Sequence, residues 1–274
     1  MRTNPLVSVI IPVHNAEKYL AESINSALGQ DYSATELIVV TDNCSDDSEK
    51  VAAEIAERDK RVKVFNPGGL GSAAKARNYG IKRANGDVIA FLDADDRWRP
   101  GKLTRQVPVL INERSAALVY SVSRAFGETG FFSAAYEVLP LPWKIVKSHK
   151  DLLEKGNSIP CSSVIVKKEL LKKAGGFDEN PENQSEDYDL WLKLTQFGDA
   201  KFVPVPAVDY RIHAGQYSSD ATRREERLKY IERKWGIKIN YSEENRSNPV
   251  KRVLRALILR LVSAAYSAGL IRGN

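Results

Sequence analysis

The sequence predicts an α/β protein in which helices flank a mostly parallel sheet, with a helical extension at the carboxyl end. Three observations carry this expectation. Four short apolar runs alternate with helix-spaced segments over the first hundred residues. The fourth run, Val88 to Leu92, is apolar throughout, as in a strand covered on both faces, and it leads directly into Asp93, Asp95 and Asp96. Charge is uneven: residues 221–274 carry 13 Lys/Arg and 5 Asp/Glu, a net of +8, so residues 1–220 carry −2 of the total of +6. The expected division is therefore 1–220 for the α/β domain and 221–274 for a basic helical extension.

Each element has a local reason. Val7 to Ile11 is an apolar run stopped by Pro12. Ala16 to Gly29 places Tyr19, Leu20, Ile24, Ala27 and Leu28 on one helical side. Glu36 to Val40 is a second strand, and Ser45 to Arg58 a helix with Ser45 as its N-cap. Val62 to Phe65 is a third strand, followed by the loop 66–71 and a helix from Ser72 to Ala84. Beyond Pro100 the pattern loosens. Lys102 to Ile111 is helical apart from Pro108, and Ala117 to Val122, Phe131 to Val138, Ser163 to Val166 and Val208 to Ile212 read as strands. Lys168 to Ala174, Gln184 to Phe197 and Thr222 to Lys234 read as helices, with Trp191 and Leu194 in the core.

Composition limits the function classes. At 43% hydrophobic, 274 residues can build a substantial core. Cys44 and Cys161 make neither a disulfide framework nor a zinc site, so a reducing, cytoplasmic setting is expected. No signal peptide precedes the first strand, and no run of 18 apolar residues predicts a membrane span. A near-neutral body argues against nucleic acid as a partner. The last helix, starting at Asn248-Pro249, puts Val250, Val253, Leu254, Leu257 and Ile258 on one face and Lys251, Arg252 and Arg255 on the other. That face suits the inner membrane surface, the domain itself or a second subunit of a homodimer.

Buried carboxylates are costly unless compensated, so Asp93, Asp95 and Asp96 are expected in a cleft at the strand's carboxyl end. Closely spaced acids there suit a hard divalent cation shared with phosphates, or an Asp-rich capped turn. Three other loops open on the same sheet edge: Pro12-Val-His-Asn15, Thr41 to Asp46, and Asn66 to Gly71 leading to Arg77 and Asn78.

With these residues in view, the chain resembles the family-2 inverting glycosyltransferases, which transfer sugars from nucleotide-diphospho-sugars. Val7-Ser-Val-Ile-Ile-Pro-Val-His-Asn15, Asp42, Ala76-Arg-Asn78, Asp93-Ala-Asp95, Trp98-x-Pro100 with Lys102-Leu103, Glu186-Asp187 and Tyr210-Arg-Ile-His213 follow that family's order over residues 5 to 220. The resemblance implies the GT-A fold, a single Rossmann-like α/β domain with a nucleotide half and an acceptor half. It implies that Asp42 accepts from the uracil of a UDP-sugar, that Pro12 and His14 border the base, and that Arg77 lies near uracil or phosphate. Asp93 would sit at the ribose. Asp95 would hold Mn2+ or Mg2+, with His213 as a further metal ligand or diphosphate contact. Asp187 would be the general base, helped by the helix dipole, with Glu186 and Arg211 in acceptor or supporting roles. The acceptor would be a surface glycan or lipid-linked hydroxyl.

One departure stands out: Cys44 occupies a position where the family carries a glycine able to adopt positive φ. Gln216 likewise replaces a small residue after His213. Two other readings compete. Gly69-Leu-Gly-Ser-Ala-Ala74 matches a dinucleotide fingerprint, as in a Rossmann oxidoreductase, although at the wrong strand–helix turn. A nucleotide-binding scaffold that has lost catalysis would keep Asp42 and Asp95 but lack a base.

Overall fold

The computed structural model describes residues 4–127, 138–139, 145–213 and 222–239. In chain order the elements are β1 (Val7–Val13), α1 (Glu17–Leu28), β2 (Thr35–Thr41), α2 (Ser48–Arg58), β3 (Val62–Phe65), α3 (Ala73–Arg83), β4 (Val88–Phe91) and β5 (Arg97–Trp98). They continue with α4 (Lys102–Asn112), β6 (Ala116–Gly127), β7 (Val138–Leu139), α5 (His149–Lys155), a 3-10 turn (Cys161–Ser163), β8 (Ile165–Lys167), α6 (Lys168–Ala174), α7 (Glu186–Thr195), β9 (Asp199–Ile212) and α8 (Thr222–Trp235). Among the described residues no helix is long and apolar enough to cross a membrane.

One nine-stranded sheet runs β3-β2-β1-β4-β8-β6-β9-β5, with β7 on β6. The first four strands are mutually parallel. Short β8 is antiparallel to both β4 and β6, so β6 again points the way β4 does, and β9 runs parallel to β6. The expected mostly parallel sheet flanked by helices is thus found. Chain order reverses direction across β1 and β4, which opens a crevice at their carboxyl ends.

Alternation along each strand builds a core on either side of the sheet. Val7, Val9 and Ile11 of β1 face α1 and α4, against Leu20, Ile24, Leu103 and Val107. Ile10 faces the other way, toward Ile81, Phe91, Leu190 and Trp191. Helix α8 joins that second core: Ile231 is fully buried, and Trp235 Nε1 donates to Asp189 Oδ1 at 2.9 Å.

Several elements depart from expectation for identifiable reasons. Ser45 does not cap α2, which starts at Ser48; the Ser45 amide donates to Asn15 Oδ1, and the Asp46 carboxylate accepts from the Ser48 amide and hydroxyl. β9 begins at Asp199, nine residues before the expected start, because Pro204 and Pro206 hide it. Pro206 pairs with Val122 where the ladder to β6 shifts register, a place that tolerates a missing N–H. α4 passes through Pro108 because Leu103, Val107 and Leu110 bury one full side of it. α5 was not expected, yet Ser148-x-x-Asp151 is a capping box with both reciprocal bonds made. Most of the expected strand 131–138, Gln216 and the helix from Asn248 lie outside the described residues.

At the amino ends of the strands, away from the crevice, Glu36 ties four segments together. Its carboxylate accepts from the Ser8 hydroxyl (2.6 Å), the Asn85 backbone N–H (2.6 Å) and side chain (3.0 Å), and Lys63 Nζ (2.7 Å). Although burial opposes its charge, these donors hold its pKa down at about 2. A depressed carboxyl stabilises the fold above its unfolded value and loses that contribution as pH falls toward its folded value. Wild type should therefore lose about 2 kcal/mol through Glu36 between pH 7 and pH 3, at about 1.4 kcal/mol per unit. Urea denaturation at the two pH values should show a smaller loss for Glu36→Gln, from a lower stability at pH 7; an equal loss would contradict this.

Candidate active site

The loop after β4 sends its three carboxylates in different directions. Asp96 is not in the cleft, contrary to expectation. It is 1% exposed, its Oδ2 accepts from the Ser162 hydroxyl at 2.6 Å, and its Oδ1 accepts from the Arg211 N–H at 2.9 Å. Its task is to fasten the 3-10 turn and the end of β9 to this loop. Burial and the neighbouring Asp95 and Asp93 charges push its proton affinity well up.

Asp95 does face the crevice. Its Oδ2 lies 3.1 Å from His213 Nε2, just past the end of β9. Burial and the Asp93 charge raise its pKa, against the pull of His213. Tyr19 of α1 packs 5.1 Å from the His213 ring. Arg211 supports this corner: its Nε donates to the Asp95 carbonyl at 2.7 Å, its terminal nitrogen pairs with Glu22, and its guanidinium lies over Tyr19 and Phe126.

Asp95 and His213 are the residues of this corner that could hold a divalent cation. One carboxylate and one imidazole converge there, and no group of three or more His, Cys, Asp or Glu that could hold an ion occurs among the described residues. Mn2+ accepts such a mixed pair, and Mg2+ would lean further on carboxylate, water and phosphate.

The nucleotide-side loops are bound to one another. Asp42, at the end of β2, accepts from the amides of Leu70 (2.8 Å) and Gly71 (2.6 Å), and Asn43 Oδ1 accepts from Gly69 N–H at 3.2 Å. The amides of the fingerprint-like Gly69-Leu-Gly71 thus serve Asp42 and Asn43, which removes the basis of the oxidoreductase reading. Asn43, with φ of 50°, takes the left-handed conformation, so Cys44 needs none; its thiol points at the Val13 carbonyl. Pro12, half-buried, pairs opposite Val40 one residue before the β1 ladder ends at Val13 and Thr41, and exposed His14 uses Nδ1 to donate to the Asp42 carbonyl at 2.8 Å.

Arg77, buried in α3, links the two halves. One terminal nitrogen pairs with Asp93 Oδ1 and the other with Glu186 Oε1, each at 2.8 Å. Its guanidinium also lies 5.3 Å from the centre of the Phe177 ring. The neighbouring Asn78 bonds Phe177 N–H, Phe177 O and Glu179, fixing the turn after α6. Gly176 in that turn has φ of 73°, and a Cβ there would lie 2.7 Å from Asn78 Oδ1, so only glycine fits.

Asp187 follows Glu186 in the first turn of α7. Its Oδ1 accepts from Tyr188 N–H at 2.6 Å and its Oδ2 from Asn157 Nδ2 at 3.1 Å. Burial and the Glu186 charge push its pKa up to about 7, while Arg77 and the two donors restrain it. Of the groups expected from sequence, Arg77, Asp93, Glu186 and Asp187 form one connected cluster, Asp95, His213 and Arg211 a second beside it, and His14 and Asp42 a third. Sequence reasoning missed Asn157 and the buried Cys161 of the 3-10 turn; neither belongs to a recognisable spacing.

A sheet of this topology with acids at the carboxyl ends of its strands has the architecture of the GT-A fold. The chain belongs to glycosyltransferase family 2: the model of that family, Glycosyl transferase family 2, matches residues 8–173. It is 30% identical over 239 residues to the Escherichia coli UDP-Glc:alpha-D-GlcNAc-diphosphoundecaprenol beta-1,3-glucosyltransferase WfaP, covering 86% of this chain and 89% of that one. In fold it is similar to S. aureus TarS 1-349 in complex with UDP-GlcNAc (TM-score 0.62, 19% identity, 96% and 92% of the two chains). It is also similar to a mannosyltransferase from Pyrobaculum calidifontis in complex with GDP-Man and Mn2+ (TM-score 0.60, 19% identity, 98% and 76%).

Removing one member of a buried ion-paired group leaves its partners uncompensated. Arg77→Met should destabilise the protein by about 3 kcal/mol in urea titrations. Arg77→Lys should recover only part of that, because a single ammonium cannot serve two carboxylates as a guanidinium fork does. Full recovery by lysine would contradict the bridging role.

Proposed function

We propose that this chain is a metal-dependent inverting glycosyltransferase that moves a sugar from a UDP-sugar to a hydroxyl of a polyprenyl-diphosphate-linked glycan, at the inner face of the membrane. The observation that carries the reading is Asp187. It is a half-buried carboxylate held at a helix start by two hydrogen bonds, beyond the Arg77 bridge from Asp95 and His213. The similarity to WfaP, whose name gives a UDP-glucose donor and a diphosphoundecaprenol acceptor, supports the choice of substrates.

The residues divide the work. Asp42, anchored by the Leu70 and Gly71 amides, keeps carboxylate lone pairs for the N3–H of uracil, with Pro12 and His14 bordering the base. Asp93, held by Arg77, would sit at the ribose. Asp95 and His213 would hold Mn2+ or Mg2+, which supplies positive charge for the departing diphosphate. Asp187 takes the acceptor hydroxyl's proton as that oxygen attacks the anomeric carbon from the side opposite the diphosphate, which inverts its configuration. A base with a pKa near 7 is about half ionised at neutral pH and strong enough to accept. Glu186, occupied by Arg77, orients the turn that carries the base. The Asp187 position argues against the scaffold reading, which requires no base.

Calorimetry with UDP tests the donor site. Mn2+ should tighten UDP binding by about tenfold or more, equivalent to about 1.4 kcal/mol. Asp95→Ala should abolish that gain, and Asp187→Asn should leave it intact. Failure of UDP to bind in any condition would refute the uridine assignment. In turnover, Asp187→Asn should lower kcat by about 10²- to 10⁴-fold. The wild-type rate should fall as pH drops through about 7, where Asp187 takes up a proton.

A further inference from the structure

We propose that Asn157, in the loop between α5 and the 3-10 turn, is the positioning residue that holds the Asp187 carboxylate in the orientation in which it takes the acceptor proton. This rests on the reading of Asp187 as the base. The amide of Asn157 has only one consistent orientation. Its Oδ1 accepts from Ile159 N–H at 2.9 Å, so Nδ2 is the group that meets Asp187 Oδ2 at 3.1 Å. Tyr188 N–H holds the other carboxylate oxygen. Two donors, one from the helix start and one from a separate loop, fix the carboxylate plane and leave a lone pair on each oxygen.

The two elements are also locked together. Tyr188, next to Asp187, donates its hydroxyl to the Leu152 carbonyl of α5 at 2.7 Å, and α5 is closed at its start by the Ser148–Asp151 capping box. Gly156, with φ of 74°, turns the chain out of α5 so that Asn157 faces α7. The charged and titratable groups around Asp187 are Glu186 on its own helix, Arg77 from α3 and the Cys161 thiol from the 3-10 turn. Arg77 is already shared between Asp93 and Glu186, and Glu186 repels the charge on Asp187. Asn157 supplies the one side-chain hydrogen bond to Asp187 among the described residues. A donor to the ionised form favours that form against burial and repulsion.

Asn157→Asp separates this role from loop structure. It keeps an oxygen for Ile159 N–H in the same shape but replaces the donor with a second carboxyl. Asn157→Ala removes both contacts. Two readouts are taken on wild type and both variants. One is carboxyl 13C NMR titration, with Asp187 assigned through Asp187→Asn; the other is the pH profile of UDP release from UDP-glucose with Mn2+. In Asn157→Asp, the upper midpoint of the carboxyl pair should rise by a unit or more above the wild-type Asp187 value, as about 3 Å between carboxylates demands. The acid limb of kcat should move with it, lowering kcat at pH 7 up to about tenfold with recovery toward pH 9. KM for UDP-glucose should stay within about twofold, because the donor loops are untouched. An unmoved midpoint and limb in Asn157→Asp, beside a destabilised Asn157→Ala, would make Asn157 a loop anchor and overturn the proposal alone. A midpoint that moves while the limb stays would overturn it together with the base role of Asp187.

Discussion

A single buried guanidinium stands between the two chemical tasks of this site. Arg77 grips Asp93, which ends a strand of the parallel half, and Glu186, which begins a helix of the other half. Neither acid is fully buried, but the arginine is, so each carboxylate is anchored from below while one side stays open to the crevice. Lysine could not do this, because the geometry needs two terminal nitrogens aimed apart on one rigid plane. The Asp95–His213 corner and the Asp187 turn are each built on one side of this bridge. Their relative position depends on α3 staying packed beneath the sheet.

Burial and the adjacent Glu186 charge raise the Asp187 pKa, and the Arg77 bridge works against that rise. An unfolded aspartate ionises freely near pH 4, whereas here burial and Glu186 keep the proton on until about 7. At neutral pH this disfavours the folded state, by linkage. Glu36, at the far end of the sheet, is shifted in the opposite sense, since its donors favour the ionised form.

Much of this was legible in the sequence because it is local. Strand-to-loop motifs at the carboxyl ends of β1, β2 and β4 announce themselves through apolar runs that stop at Pro12, Asp42 and Asp93. The order of those loops in a parallel sheet puts them on one edge, and the structure follows. What the sequence concealed is tertiary. Three closely spaced aspartates look alike until packing assigns Asp96 to Ser162 and Arg211 and leaves Asp95 to His213. β9 was obscured by two prolines that a bulge accommodates, and the turn in which Cys44 replaces the family's glycine places its positive φ at Asn43. Asn157 lies 30 residues from Asp187, and no spacing rule joins a loop asparagine to a helix-start acid.

The proposed chemistry has a stereochemical signature independent of which sugar is moved. One carboxylate that takes the acceptor proton, opposite the departing diphosphate, permits a single displacement and no glycosyl-enzyme intermediate. Proton NMR of the anomeric centre, followed from a UDP-α-sugar into the freshly formed product, reads this directly. A β-configured product from wild type is the outcome the account predicts, whereas an α-configured product would mean a second nucleophile or a front-face path, and would contradict the role given to Asp187.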